Sequence, residues 1–452
     1  MKSKIRLSQC MIVKNEEKNI RRALSWGKEI MWEQIVVDTG STDQTVSIAM
    51  EMGAKVFHFQ WIDDFASAKN YAIEKAQGDW IVFLDADEYL SPQDTQKLPS
   101  LLGELNPTSC DTVAASWVQI NGGEDIVQGH SDGKMDWLST VSADGSSSLS
   151  LAGTQIRLFR NRPGLRYQGR IHEKLYLDNS LPSCTDATGE LAILHTGYSP
   201  EELKEKDKVA RNIALVKKEL ETNPHDYQML TYLGDSCFQQ KNYEEAAHWY
   251  EQAVLFMPKS LDETNIQAPM VFKHLLLIYF KCNDQKVSDA YNRGITHFPK
   301  DADYDYLMGS HQVAKANYQE GVQYLQRALV LTDQYNCPSS LLITRNLLSA
   351  WDLLTMCYYE TGQLKECTNC AITLLKADPG RMEPLKYLLS AFKKDEERQL
   401  SHSDPSSPRA ASPAQVKVFL NNFYDFQNKK QQDFVRAAAQ AAGYSSLLEE
   451  IG

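Results

Sequence analysis

Pro224 and Pro258 stand 34 residues apart, and the stretch between them returns further down the chain. After Pro224 come Leu230, Leu233 and Gly234, then Ala246, Tyr250 and Ala253. The same spacing recurs as Trp351, Leu354, Tyr358, Cys367, Ala371 and Pro379. A weaker copy has Met308, Gly309, Leu325 and Ala328, and a degenerate one runs from Val271 to Pro299. Apolar residues at helical spacing, a small residue where two helices meet and a terminating Pro describe a helix–turn–helix unit. One such unit cannot bury its apolar face alone, and about three or more must stack to close a core. Residues 223–393 are therefore expected to be all-α and repetitive.

Before residue 200 the periodicity is different. Short apolar runs at Ile5–Val13, Gln34–Asp38, Lys55–Phe59 and Trp80–Leu84 alternate with helical patterns at Glu16–Trp26, Asp43–Met52 and Phe65–Gln77. That βαβαβ alternation predicts a parallel sheet with crossover helices. Two more strands are expected at Thr112–Ile120 and Thr154–Arg160, separated by a polar, Gly/Ser-rich loop over 121–150. The expected organisation is an α/β domain over 1–198, a connecting helix over 199–222 and the repeats over 223–393. A Ser/Pro linker over 394–414 and a helical tail over 415–452 complete it.

Composition narrows the function classes. The net charge of −12 over 452 residues disfavours non-specific nucleic-acid binding. No apolar window is long enough to span a membrane, and the N-terminal residues lack the pattern of a signal peptide. Nine scattered cysteines without an export signal are read as reduced thiols of a cytoplasmic protein. Cys367 and Cys370 form a lone CxxC inside a helical pattern, which is weak evidence for metal or redox chemistry.

The chemistry concentrates in FLDADEYL, residues 83–90, where an apolar run meets Asp85, Asp87 and Glu88. Residues i and i+2 of a strand share a face, so Asp85 and Asp87 project together at its carboxyl end. Carboxyl ends of strands are where open α/β sheets bind ligands. Paired carboxylates there suit a hard divalent cation that bridges to phosphates. Asp38 ends an earlier strand before a Gly/Ser/Thr turn, and Asn15 and Glu16 follow the first strand. Three strand ends thus carry polar groups toward one crevice, a nucleotide pocket by geometry. Plainer readings exist beside these: Asp38 as a turn former, Asp43 and Asp64 as helix caps, Arg157 and Arg160 as surface charges, and Glu173 as a partner of Lys174.

In order, CMIVKNEE, VVDTGSTDQT, WIDDFASAKNYA, GDWIVFLDADE, QIRLFRN, YQGRIHE and ILHTGYS resemble a family-two glycosyltransferase with the GT-A fold, over about residues 5–198. The 34-residue units resemble tetratricopeptide repeats. The two together resemble bacterial peptide S- and O-glycosyltransferases of the sublancin type. The fold implied is an α/β, Rossmann-like GT-A domain followed by an all-α tetratricopeptide-repeat solenoid.

The resemblance implies inverting transfer of a sugar from a nucleotide-sugar, UDP-glucose or UDP-N-acetylglucosamine, with manganese or magnesium. It implies a donor pocket formed by Val13, Asn15, Glu16, Asp38, Gly40, Asp64, Lys69, Asn70, Asp85, Ala86 and Arg157. Asp87 would bind the cation, with His195 and Asp85 completing the set. Glu173 is the candidate general base and His172 lines the acceptor site. Lys69 departs from the Arg usual at its position and offers a point charge in place of a planar fork. The expected partners are the nucleotide-sugar and a peptide or protein whose Cys, Ser or Thr is modified, held by the repeats. A homodimer through the repeats or the tail is a further expectation. The other functions left open are transfer to a lipid or glycan carrier and a non-catalytic interaction role.

Overall fold

The computed structural model describes residues 5–105, 109–122, 147–196, 206–261, 267–282, 285–401 and 410–452. The chain divides into two compact units, residues 1–225 and 226–452.

The first unit is built on one mixed sheet. β1 (Leu7–Val13), β2 (Glu33–Asp38), β3 (Lys55–His58) and β4 (Trp80–Phe83) pair in parallel in the order β3-β2-β1-β4. α1 (Ile20–Ser25), α2 (Thr45–Glu51) and α3 (Phe65–Lys75) are the crossovers. The strands read as near-continuous apolar runs because both faces are covered. Along β1, Cys10 packs toward Ala72 and Ile73 of α3, while its neighbour Met11 packs with Ile20 and Leu24 of α1. The period of two sends successive side chains to opposite layers.

Beyond β4 the sheet turns antiparallel. β5 (Glu88–Leu90), α4 (Pro92–Glu104), β6 (Thr112–Gly122) and β7 (Ser147–Arg160) follow in the chain, and β7 pairs with both β4 and β6. β8 (Leu165–Gln168) and β9 (Lys174–Leu177) form a separate hairpin. β10 (Cys184–Asp186) and β11 (Ala192–His195) both run parallel to β6, and β11 then pairs antiparallel with β5. Of the loop expected over 121–150, residues 121–122 end β6 and 147–150 begin β7; the remainder lies outside the described residues. The first helix is shorter than its sequence pattern. Asn15 adopts φ 57 and the chain turns through Glu16 before α1 begins at Ile20. α5 (Lys206–Thr222) belongs to this unit. It is tied on by Lys218 to Asp63 at 2.8 Å and by Arg211 over the Phe65 ring at 5.4 Å.

The second unit is helical. Among its described residues, four helix pairs follow one another. They are α6 (Tyr227–Gln239) with α7 (Tyr243–Phe256), α8 (Gln267–Cys282) with α9 (Val287–His297), α10 (Asp303–Ala314) with α11 (Tyr318–Gln334), and, past α12 (Leu341–Arg345), α13 (Leu347–Glu360) with α14 (Leu364–Ala377). The small residues of the sequence pattern sit where side chains from neighbouring helices arrive. A Cβ on Gly234 would lie 2.5 Å from the Tyr250 ring, and one on Gly309 would lie 2.8 Å from Leu325. Gly234→Ala is therefore expected to cost about 1–3 kcal/mol through overpacking, read as a fall in the denaturation midpoint; an unchanged midpoint would show that the Tyr250 ring yields freely.

α15 (Met382–Ser401) continues through 394–401, a stretch the sequence reading placed in the linker. Its heptad-like apolar positions Leu385, Leu388 and Leu389 are fully buried. α16 (Pro413–Leu420), α17 (Lys429–Ala441) and α18 (Ser445–Ile451) pack with them around Val416, Leu420, Val435 and Leu447. The tail thus shares a core with the last repeat. Burial lifts the thiols of Cys367 and Cys370 to about 12 and about 11. Both thiols sit in apolar surroundings that disfavour the reactive thiolate.

One buried charge cluster knits the middle of this unit. The Lys273 ammonium of α8 is wholly buried and meets Asp301 at 2.8 Å, Asp303 at 2.7 Å and the Ser339 carbonyl at 2.6 Å. Asp303 also accepts from the backbone N–H groups of Leu342 and Ile343, and Asp301 accepts from the Ser339 and Ser340 hydroxyls. No helix of the described residues is long and apolar enough to cross a membrane.

Candidate active site

The carboxyl ends of β1, β2 and β4 carry the polar residues singled out in the sequence. Asp38 ends β2 and turns back on its own loop, accepting from Gly40 N–H at 3.2 Å and Ser41 N–H at 3.0 Å, with His58 Nδ1 at 3.4 Å. Asn15 follows Val13, the last residue of β1, and ties the same loop. Its N–H donates to Ser41 Oγ at 2.9 Å and its side-chain oxygen accepts from Thr42 N–H at 2.8 Å. Glu16 N–H donates to Thr45 Oγ1 at 2.7 Å. These residues shape the β1 and β2 ends as one rigid rim.

FLDADEYL resolves into three roles. β4 stops at Phe83, so Asp85 and Asp87 lie on the turn before β5 and do not stand on one face of a strand. Asp85 accepts from Arg157 Nη2 at 2.7 Å. Burial opposes its charge, but Arg157, Lys69 and His195 outweigh that and hold its carboxyl below the usual carboxylate range. Asp87 Oδ2 instead lies 3.1 Å from His195 Nε2. β11 makes that contact by pairing His195 opposite Glu88, and Thr196 N–H donates to the Asp87 carbonyl at 3.1 Å. Ala86, between the two acids, is buried against α1 and α2 residues.

Glu88, which the sequence reading passed over, is 1% exposed and central. It accepts from Asp85 N–H at 3.0 Å, Trp117 Nε1–H at 2.9 Å and Arg157 Nη2–H at 2.8 Å. The signal was present as a third acid in the motif, but its partners come from β6 and β7.

A second set of charges meets Asp85 from α3 and the turn between β8 and β9. Lys69 is 4% exposed, lies 2.6 Å from Glu173 and sits over the rings of Phe83 and Tyr167 at 5.2 and 5.1 Å. Burial opposes its charge, yet Asp85 and Glu173 raise its pKa, so it remains an ammonium. The partner of Glu173 is thus Lys69, not the adjacent Lys174. Arg157 is held far up by Asp85 and Glu88 against burial. Burial pushes Tyr167 to about 12, which keeps its hydroxyl a donor. Among the described residues the Tyr167 hydroxyl and Arg157 Nε–H have no hydrogen-bond acceptor.

Other predicted residues serve the framework. Asp64 caps α3, accepting from Ser67 N–H at 2.8 Å. Asn70 exchanges two hydrogen bonds of 2.9 Å with the Tyr167 backbone. Arg160 is an anchor, not a surface charge: it donates to the Cys110 and Leu105 carbonyls and lies over Trp80. His172, next to Glu173, holds a positive φ of 53°.

The implied cation can be tested against this donor set. Among the described residues no cluster of three or more metal-ligating side chains occurs. Asp87 and His195 give one oxygen and one nitrogen 3.1 Å apart, near the separation of about 3 Å for adjacent ligands with bonds of ~2.1 Å. Two protein ligands suit a cation that takes its remaining bonds from water and substrate phosphates. The pair fits.

Residues 8–164 match the model of glycosyl transferase family 2, and residues 228–260 match that of the tetratricopeptide repeat. A TPR repeat-containing protein of Synechococcus elongatus is 33% identical over 256 residues, 55% of this chain and 56% of that protein. The SPbeta prophage-derived glycosyltransferase SunS of Bacillus subtilis is 27% identical over 300 residues, 66% of this chain and 64% of SunS. An uncharacterized glycosyltransferase of Rickettsia felis is 43% identical over 88 residues, 20% of this chain and 31% of that protein. In none of the three does the match reach two thirds of the relative's own length. The similarity to glycosyl transferase family 2 thus spans residues 8–164, and that to the tetratricopeptide repeat spans residues 228–260.

Proposed function

We propose that the chain is an inverting glycosyltransferase that moves a hexose from a uridine diphosphate sugar to a Cys, Ser or Thr side chain of a peptide held by the repeats. The observation that carries this reading is the Asp87–His195 pair, 3.1 Å apart beside Asp85 at the carboxyl edge of a family 2 domain. Asp87 and His195 would hold a manganese or magnesium ion, which when bound supplies positive charge to a diphosphate leaving group. A mixed nitrogen and oxygen pair favours manganese.

The chain's own residues do the rest. Asp85, kept ionised by Arg157 and Lys69, accepts a hydrogen bond from the donor's ribose or a cation-bound water. The Tyr167 hydroxyl and Arg157 Nε–H, both short of an acceptor, are suited to donor oxygens that reach the crevice. The rim of Asn15, Glu16, Asp38 and Gly40 borders the nucleotide. Glu173 takes the proton of the attacking group, and Lys69, 2.6 Å away, orients it. A thiol acceptor needs less of that help than a hydroxyl does. The tetratricopeptide match supports peptide recruitment, since such helices commonly hold extended or helical segments.

Thermal unfolding of the full chain tests the donor half. Uridine and guanosine diphosphates and their sugars are compared with manganese, magnesium or EDTA. A ligand at 100 times its Kd stabilises by about 2.7 kcal/mol. The expected result is a cation-dependent shift with the uridine set. No shift with any nucleotide would sink the reading.

A further inference from the structure

We propose that Glu88 is the positioning residue that sets the geometry of Asp85, Asp87 and His195 together. The inference rests on the reading of Asp87 and His195 as a cation-holding pair.

Glu88 closes the acidic turn on itself. Its N–H donates to the Asp85 carbonyl at 3.0 Å, and its Oε2 accepts from the Asp85 N–H at 3.0 Å. Two reciprocal bonds fix the path between residues 85 and 88, and with it the point from which the Asp87 side chain leaves. The other oxygen acts outward. Oε1 accepts from Trp117 Nε1–H at 2.9 Å, and the Trp117 ring lies against the His195 ring at 4.4 Å between centroids and 34° between planes. Oε1 also accepts from Arg157 Nη2–H at 2.8 Å, and the same nitrogen reaches Asp85 at 2.7 Å. The backbone repeats the connection, because Glu88 and His195 face each other across β5 and β11.

Packing alone does not account for a carboxylate here. Replacing a buried ion pair by apolar residues of similar size is often neutral or stabilising. Leu90, two residues along β5, shows that its inner face accepts a hydrocarbon. What the carboxylate supplies, and a hydrocarbon cannot, is an acceptor for three donors on the turn, on β6 and on β7. Partners behind metal ligands typically change affinity by about 10–100-fold when lost.

The test is the manganese affinity of the full chain without nucleotide, read from free Mn2+ by electron paramagnetic resonance. Glu88→Gln keeps the volume but leaves one acceptor oxygen and sets an N–H2 against a donor. Trp117→Phe keeps a ring over His195 and removes its tether. Thermal unfolding of each variant establishes that it is folded at the temperature of the titration. The expected result is a Kd raised about 10–100-fold in Glu88→Gln and about tenfold in Trp117→Phe. A lower unfolding temperature with manganese affinity within twofold of the unaltered chain would mark Glu88 as structural only and overturn the inference. Should Glu88→Gln fail to fold, Trp117→Phe decides on the same threshold. Failure of the unaltered chain to bind manganese would overturn the cation-pair reading and this inference with it, a result distinct from binding that Glu88 does not influence.

Discussion

Asp87→Ala is expected to abolish the manganese-dependent stabilisation by uridine diphosphate and, on the proposed reading, to lower sugar transfer by about 10²–10³-fold. That is the loss typical when one preorganised charge-stabilising group is removed. The substitution deletes one of the two atoms that make the 3.1 Å pair with His195. It leaves the Asp85–Arg157–Glu88 cluster intact, because the Asp87 side chain meets His195 and not that cluster, and its carbonyl still accepts from Thr196. Unfolding without ligand is therefore expected to change little. Peptide binding, measured separately by fluorescence anisotropy, is expected to persist. Retained transfer in Asp87→Ala would exclude a cation held by this pair, and a biological role that survives without transfer would favour the interaction-protein reading.

Lys273→Met is expected to destabilise the second unit by about 3–5 kcal/mol, the cost of removing one partner from a buried ion cluster. Asp301 and Asp303 would remain buried with no cation between them. For a unit of this size, 1 kcal/mol corresponds to roughly 2–4 °C, so the unfolding temperature should fall by roughly 6–20 °C. Loss of α12 is expected first, since Asp303 holds the backbone N–H groups of Leu342 and Ile343 at its start. Calorimetry of the full chain reads both effects. A change below about 1 kcal/mol would mean that water reaches the two carboxylates once Lys273 is gone.

Local periodicity carried much of this architecture. The parallel strands and their helices are legible because each is an apolar run or a 3.6-residue pattern bounded by turn residues. The repeats are legible because Gly234 and Gly309 occupy the contacts that their spacing assigns to small residues. The site was legible only where chemistry coincided with a strand end. Asp87 and His195 stood out by their motifs, and they do meet. Asp85 and Asp87 were expected to share a cation, but Arg157 has taken Asp85. Glu88 and Lys69 were undervalued because their partners lie on distant strands and turns: Trp117 and Arg157 for one, Glu173 for the other. Charge is a poor guide to burial in this chain. Lys273, Asp301 and Asp303 are charged and lie wholly inside. Residues 394–401 read as linker by composition and are helical because Leu385, Leu388 and Leu389 anchor the turns before them.

The pairing of β5 with β11 has a consequence for the ribosome. Asp87 and His195 are 108 positions apart in the chain. At about 5–20 residues per second, His195 is added roughly 5–20 s after Asp87. Until then a nascent chain holds the acid without the imidazole, and β5 has no antiparallel neighbour. The Asp87–His195 pair thus arrives late and at once, with the last described strand of the sheet.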